Sequence, residues 1–223
     1  MKRAELAVMI DHTKLGPDVS KEQIHQLCTE AKRFQFISVC LNPCYVAFAQ
    51  EELRGSSVRV CTVIGFPHGA NVTPIKVAEA EQALKEGTDE LDMVINIPAL
   101  KANETQCVQS EIEAICRVAK QGPKRALVKV IIETCLLNDE QKRLACTLSK
   151  NAGADFVKTS TGFSTSGATL EDVKLMRAAV GPKMGVKASG GIRDLATALK
   201  MIEAGATRIG TSSGVKMIEE IPM

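Results

Sequence analysis

Eight short apolar runs, each followed by a helical segment or a short one, constrain this chain more than any other feature. They lie at 7–13, 37–43, 58–67, 90–97, 126–134, 156–162, 185–191 and 208–214. Many are apolar on both faces, as parallel strands covered by helices should be. The segments between them carry helix signals. Ser20, with Gln23 three residues on, forms a capping box before "KEQIHQLCTEAKRF". Thr73 is expected as an N-cap with Pro74 at the first helical position, and Gly87 closes that helix. Asn138 and Thr169 precede two further helices, the second with Asp172 at its third position. Val108, Ile112, Ile115 and Ala119 form one face of the segment 104–122, and Leu195, Ala198, Leu199 and Ile202 recur at helical spacing in 194–206. Eight βα units predict an α/β protein, a closed (β/α)8 TIM barrel filling one domain over 1–223. A doubly wound open sheet is the alternative. It uses fewer strands, and no G-x-G-x-x-G follows the first run.

Charge and composition exclude several function classes. The net charge of +2, with one Tyr and no Trp, gives neither the positive field nor the stacking platform of a nucleic-acid binder. No apolar stretch approaches a membrane span, and the early run ends at Asp11, too short for a signal core. A cytoplasmic location is therefore expected, with the eight cysteines reduced and buried. Only His12, His25 and His68 are present, and His12 has no partner His or Cys at metal-ligand spacing, so a zinc site is not expected; no cofactor is expected either.

Two stretches carry the chemistry. "VKTSTG" (157–162) and "VKASGG" (186–191) each put a lysine inside an apolar run and follow it with small residues and glycine. Desolvating an ammonium group is costly, so a lysine in such a place needs a reason. Catalytic groups in a barrel stand at the C-terminal ends of strands, where Lys158 and Lys187 fall on neighbouring strands. Ammonium groups roughly 6 Å apart, at an effective dielectric of about 20, repel by roughly 3 kcal/mol. That favours the neutral form of one lysine, the form that attacks a carbonyl. The plain alternative for each is a solvated lysine at a strand end. Lys129 is a third strand lysine, expected either to line the same cavity or to pair with Glu133 or Asp92. Asp92, inside the apolar "ELDMVIN", requires a cationic partner; it serves either a proton relay or a structural ion pair. Asp11 either meets a substrate hydroxyl or caps a loop. The glycines of "SGGIR" (189–193) and "GTSSG" (210–214) follow strands seven and eight, the usual phosphate site of this barrel, with ordinary turn chemistry as the alternative.

Taken in order, "IDHT", "SVCLNP", "VIGFPHG", "ELDMVINI", "KVIIET", "FVKTSTGF" and "VKASGGIR" resemble the deoxyribose-phosphate aldolase family across nearly the whole chain. The resemblance implies a metal-free class I aldolase that reversibly cleaves 2-deoxy-D-ribose 5-phosphate to glyceraldehyde 3-phosphate and acetaldehyde. It places the Schiff-base lysine at Lys158, the second lysine at Lys187 and the acidic proton-relay residue at Asp92. Residues near the substrate hydroxyls fall on Asp11, Thr13 and Cys40. The phosphate site falls on Gly162, Gly190, Gly191, Arg193, Gly210, Ser212 and Ser213. His68 stands where leucine is common in the family. The expected partners are a small sugar phosphate and aldehydes, with no nucleic acid and no membrane, and the protein itself is expected as a homodimer or homotetramer. Another Schiff-base aldolase and a non-catalytic sugar-phosphate binder remain the competing readings.

Overall fold

A computed structural model closes eight parallel strands into the predicted (β/α)8 barrel; it describes residues 1–121 and 124–222. The strands β1 (Ile10–Lys14), β2 (Ser38–Leu41), β3 (Arg59–Ile64), β4 (Glu90–Val94), β5 (Leu127–Ile131), β6 (Phe156–Lys158), β7 (Gly185–Ser189) and β8 (Arg208–Thr211) pair in chain order, and β1 closes on β8. Each is shorter than its apolar run. The overhanging residues are buried beyond the assigned strands: Ile95 and Ile132 continue the backbone bonding by one N–H each, to the Ile131 and Lys158 carbonyls, and Ile97 already opens the helix that follows.

The helices are α1 (Arg3–Ala7), α2 (Lys21–Phe34), α3 (Val46–Glu52), α4 (Thr73–Lys85), α5 (Ile97–Lys101), α6 (Thr105–Gln121), α7 (Asp139–Asn151), α8 (Leu170–Val180), α9 (Leu195–Glu203) and α10 (Gly214–Glu219). The capping box of α2 forms in both directions, with Ser20 accepting from the Gln23 N–H at 3.3 Å and Gln23 accepting from the Ser20 N–H at 3.0 Å. Asn138 caps α7 in the same reciprocal way, and Thr169 caps α8. At α4 the expected cap moves: Val72 is the cap and Thr73 the first helical residue. Pro74 has no N–H, which leaves one orphan donor fewer for a capping side chain to satisfy. The stripe Val108, Ile112, Ile115 and Ala119 of α6 is fully buried, while Gly122 of that predicted segment lies outside the described residues. In α9 Ala198 and Met201 are buried, Leu195 and Ile202 pack partly buried against the core, and of the residues at the expected spacing only Leu199, 36% exposed, turns away from it.

The two faces of the barrel differ in kind. Outward-facing Ile10, Val39, Leu41, Leu91, Met93, Val128, Val130, Val157, Val186 and Ile209 join the apolar core shared with the helices. Alternation sends Asp11, Glu90, Asp92, Lys129, Lys158, Lys187 and Arg208 to the other face, and all seven are buried. A small apolar group of Leu15, Cys40, Cys61 and Val63 shares this interior. The Phe156 ring also occupies it, with the Arg208 guanidinium 5.3 Å from the ring centroid.

Gly185 faces this ring. A methyl group there would come within 2.1 Å of Phe156 Cδ1. Gly185→Ala should therefore destabilise the fold by about 1–3 kcal/mol through overpacking. Urea unfolding measures it, and an unchanged midpoint would contradict the packing described.

Candidate active site

The site is built around one carboxylate. Asp92 lies on β4 directly across from Lys129 on β5, and Lys158 on β6 is the register partner of Lys187 on β7. Asp92 Oδ1 is 2.7 Å from Lys129 Nζ. Its Oδ2 is 2.8 Å from Lys158 Nζ and 2.7 Å from Lys187 Nζ. The Cys61 thiol donates to Oδ1 at 3.2 Å. The two lysines of the repeated motif thus meet on a single oxygen. Lys129 pairs with Asp92, as one of its two expected partners, and not with Glu133.

Two more carboxylates complete the network. Asp11 Oδ1 accepts from the Ser38 hydroxyl and from Arg208 Nη1, both at 2.6 Å. Its Oδ2 pairs with Lys187 and lies 3.7 Å from Lys129 Nζ. Glu90 binds Lys129 at 2.6 Å and Arg208 at 2.9 Å, and Arg59 reaches it at 3.1 Å. Three buried acids, Asp11, Glu90 and Asp92, therefore face four buried bases, Lys129, Lys158, Lys187 and Arg208. If every base is protonated, one positive charge is in excess.

Burial opposes the charged form of each acid, yet the surrounding cations outweigh it. Lys187, Arg208 and Lys129 hold Asp11 below the usual carboxylate range, and Lys129, Lys158 and Lys187 hold Asp92 well below it. Lys129 and Arg208 do the same for Glu90. Burial also works against the Lys187 ammonium, but Asp11 and Asp92 raise its pKa above the ordinary lysine value. Lys187 is therefore held in its charged form. Beside the network, the neighbouring Cys61 thiol lowers the Cys40 thiol, while burial pushes Cys61 well up.

A cavity of about 230 Å³ opens above the network. Of the predicted site residues, Lys158, Thr13, Gly162, Gly190, Gly191, Arg193, Gly210 and Ser212 line it. Asp92, Lys187, Asp11 and Cys40 are fully buried and do not line it. Ser213 is not part of the lining either, and its N–H donates to the Thr211 hydroxyl at 2.9 Å. Gly210 has a packing duty as well, since a Cβ there would meet Lys187 Cε at 2.9 Å. Gly190 has a φ of +85°, and a Cβ on it would approach Gly167 Cα to 2.9 Å.

Sequence reasoning missed Glu90, Arg208, Ser38 and Cys61 in the network, and Thr161, Phe163, Ser189 and Thr211 in the cavity wall. Glu90 had a usable signal: it lies two residues before Asp92, so strand alternation places both on one face. Three donor atoms do come within 4.8 Å of one another at Cys40, Cys61 and Asp92, and again at Asp11, Cys61 and Glu90. The carboxylates of both groups are already bound by Lys129, Lys187 and Arg208, whose charges would repel a divalent cation.

Fold and site together define a barrel whose chemistry centres on lysine amines. The model of the DeoC/LacD family aldolases matches residues 5–219, and the chain belongs to that family. It is 57% identical over 216 residues to the deoxyribose-phosphate aldolase of Clostridium tetani, covering 97% of this chain and 99% of that protein. It is 56% identical to the deoxyribose-phosphate aldolase of Thermococcus kodakarensis, covering 100% of this chain and 99% of the relative. The tetrameric deoxyribose phosphate aldolase structure from Aeropyrum pernix superposes with a TM-score of 0.91 at 38% identity, covering 98% of this chain and 92% of that one.

The lowered carboxylates make stability pH-dependent with a defined sign. A group whose folded pKa is depressed stabilises above its unfolded value, about 4, and loses that contribution as pH falls below it. Asp11→Asn, which strands buried cations, should cost about 3–5 kcal/mol near pH 7. The gap between variant and parent should narrow as pH falls from 5 towards 2. Urea unfolding across that range measures it; a constant gap would show that Asp11 does not carry the linkage.

Proposed function

We propose that the chain reversibly cleaves 2-deoxy-D-ribose 5-phosphate to D-glyceraldehyde 3-phosphate and acetaldehyde, in deoxyribose phosphate breakdown. The reaction runs through a Schiff base on Lys158 within one (β/α)8 domain. The observation that carries this reading is that Lys158, alone among the four network bases, lines the cavity. It also touches one carboxylate, whereas Lys187 and Arg208 touch two and Lys129 three. It is the network base with the fewest carboxylate partners, and its amine is the nucleophile.

In this reading the Lys158 amine attacks C1 of the open-chain sugar phosphate, and loss of water from the carbinolamine gives the iminium. A base removes the C3 hydroxyl proton. The C2–C3 bond breaks and its electron pair moves towards the iminium nitrogen. Glyceraldehyde 3-phosphate leaves, the resulting enamine is protonated at C2, and hydrolysis releases acetaldehyde and restores the lysine. Asp92 accepts protons and Lys187, held charged beside it, returns them; they act through water exchanged at the cavity floor. Thr13 faces the sugar, with Asp11 and Cys40 beneath it. Gly162, Gly190, Gly191, Gly210, Ser212 and Ser213 with Arg193 receive the phosphate through N–H groups, hydroxyls and the guanidinium. The cavity, at about 230 Å³, suits a five-carbon sugar phosphate; drug-sized ligands occupy roughly 300–1,000 Å³. The protein acts as a cytoplasmic homo-oligomer, dimer or tetramer. Eight free cysteines fit a reducing compartment, and the Aeropyrum pernix relative is tetrameric.

Borohydride reduction in the presence of deoxyribose 5-phosphate, followed by peptide mass spectrometry, should place the adduct on Lys158. An adduct on Lys187 or Lys129 would reverse the assigned roles, and Lys158→Ala should give neither adduct nor turnover. Asp92→Asn should lower kcat by about 10²–10⁴-fold, the usual worth of a positioned proton-transfer group. Steady-state kinetics decides this, and a loss confined to KM would remove Asp92 from proton transfer.

A further inference from the structure

Glu133 is a buried carboxylate that the chemistry above does not use. It follows β5, is 2% exposed, and holds a left-handed backbone at φ +53°, a conformation uncommon for residues other than glycine. Its carboxylate turns to the loop that follows Lys158. Oε1 and Oε2 lie 3.2 and 3.3 Å from the Thr161 N–H, and Oε2 also accepts from the Thr161 hydroxyl. That hydroxyl oxygen in turn accepts the Phe163 N–H at 3.1 Å. Cys135 Sγ, at 4.0 Å from Oε1, is the other polar neighbour. Burial pushes the Glu133 carboxyl up, and the bonds from Thr161 and the charge of Lys158 work against that.

The residue enclosed by this clamp is Gly162. Its φ is +87°, and a Cβ built on it would meet nothing within 4 Å. Thr161, Gly162 and Phe163 line the same cavity wall as Gly190, Gly191, Arg193 and Ser212. The loop is tied to the end of β5 by backbone as well, with Ile132 N–H on the Lys158 carbonyl at 3.0 Å and Thr134 N–H on the Thr159 carbonyl at 2.9 Å. These two bonds hold residues 158 and 159. Beyond them the Ser189 hydroxyl holds the Ser160 carbonyl at 2.6 Å, and Glu133 holds Thr161.

We propose that Glu133 is a positioning residue for the phosphate end of the substrate: through Thr161 it fixes the turn that presents Gly162 to the anion. The proposal rests on the aldolase reading above and deepens it. A carboxylate is suited to the task because it can accept the N–H and the O–H of one threonine on its two oxygens. A glutamine offers one oxygen and, beside it, an NH₂ that faces donors.

The test compares kcat/KM for 2-deoxyribose 5-phosphate with kcat/KM for unphosphorylated 2-deoxyribose. In Glu133→Gln and Thr161→Val the advantage of the phosphorylated sugar should shrink about 10-fold, about 1.4 kcal/mol, mainly through KM. Thr161→Ser, which keeps the hydroxyl, should recover most of that loss. Equal losses on both sugars, or a Thr161→Ser variant no better than Thr161→Val, would overturn the proposal and leave Glu133 a structural acid. Should Glu133→Gln fail to fold, the threonine pair carries the test, with inhibition by inorganic phosphate as a second readout expected to weaken in Thr161→Val alone. A parent protein that turns over neither sugar refutes the aldolase reading itself, before any variant is compared.

Discussion

The Asp92 carboxylate is the point on which this site depends. Three ammonium groups meet on its two oxygens in the buried interior of the barrel. No one of these charges would be tolerable there alone, because an unpaired buried ion costs several kcal/mol. Together with Asp11, Glu90 and Arg208 they form a network in which each ion is the condition for its neighbours. Such a network is sensitive to geometry, and the closed barrel supplies it. Register places Asp92 opposite Lys129 and Lys158 opposite Lys187, and closure of the barrel brings the two lysines of β6 and β7 onto Asp92 across its interior.

Chemistry follows from an asymmetry within the network. Lys129, Lys187 and Arg208 are enclosed by carboxylates, whereas Lys158 has one carboxylate partner and open space beyond it. A cluster with one more base than acid becomes neutral when one amine gives up its proton. The fold places the least restrained amine next to the ligand cavity and keeps a charged lysine beside it. Electrostatic balance and reactivity are here the same arrangement. Lys76 shows that burial alone does not make a lysine catalytic. It is as enclosed as Lys187, but it joins Glu111 at 2.8 Å and the Val94 carbonyl at 2.9 Å, and so ties α4 to α6 and β4.

Much of this was legible in the sequence. The eight βα units follow from the apolar runs and helix caps, and Ser20, Asn138 and Thr169 cap where their side chains predict. Lys158, Lys187 and Asp92 stood out because each is a charge inside an apolar run. Glu90 and Arg208 did not, because each opens its strand, where a charge ordinarily reads as solvated. The strand ends were overestimated because loop residues such as Ile95 and Ile132 are as buried as the strands they follow. Leu199 shares the helical spacing of Leu195, Ala198 and Ile202 yet is 36% exposed, because spacing shows that a face exists and not which edge of it meets the barrel. Glu133 was considered only as a partner for Lys129. Its hold on Thr161 joins residues 28 positions apart, which no local pattern records.

The sequence by itself determined the alternation of strand and helix, and therefore a parallel sheet with helices packed on it, and the count of eight units favoured closure into a barrel. It also determined which side chains cannot be ordinary solvated charges. Only the tertiary structure decided which charge pairs with which, which lysine lines the cavity, and which carboxylates serve the network or the loop beside it. The physical reason is that pairing energies in a low-dielectric interior depend on separations of a few ångströms between residues far apart in the chain. Those separations are fixed by the register of eight strands closing on themselves, a property that no single segment carries.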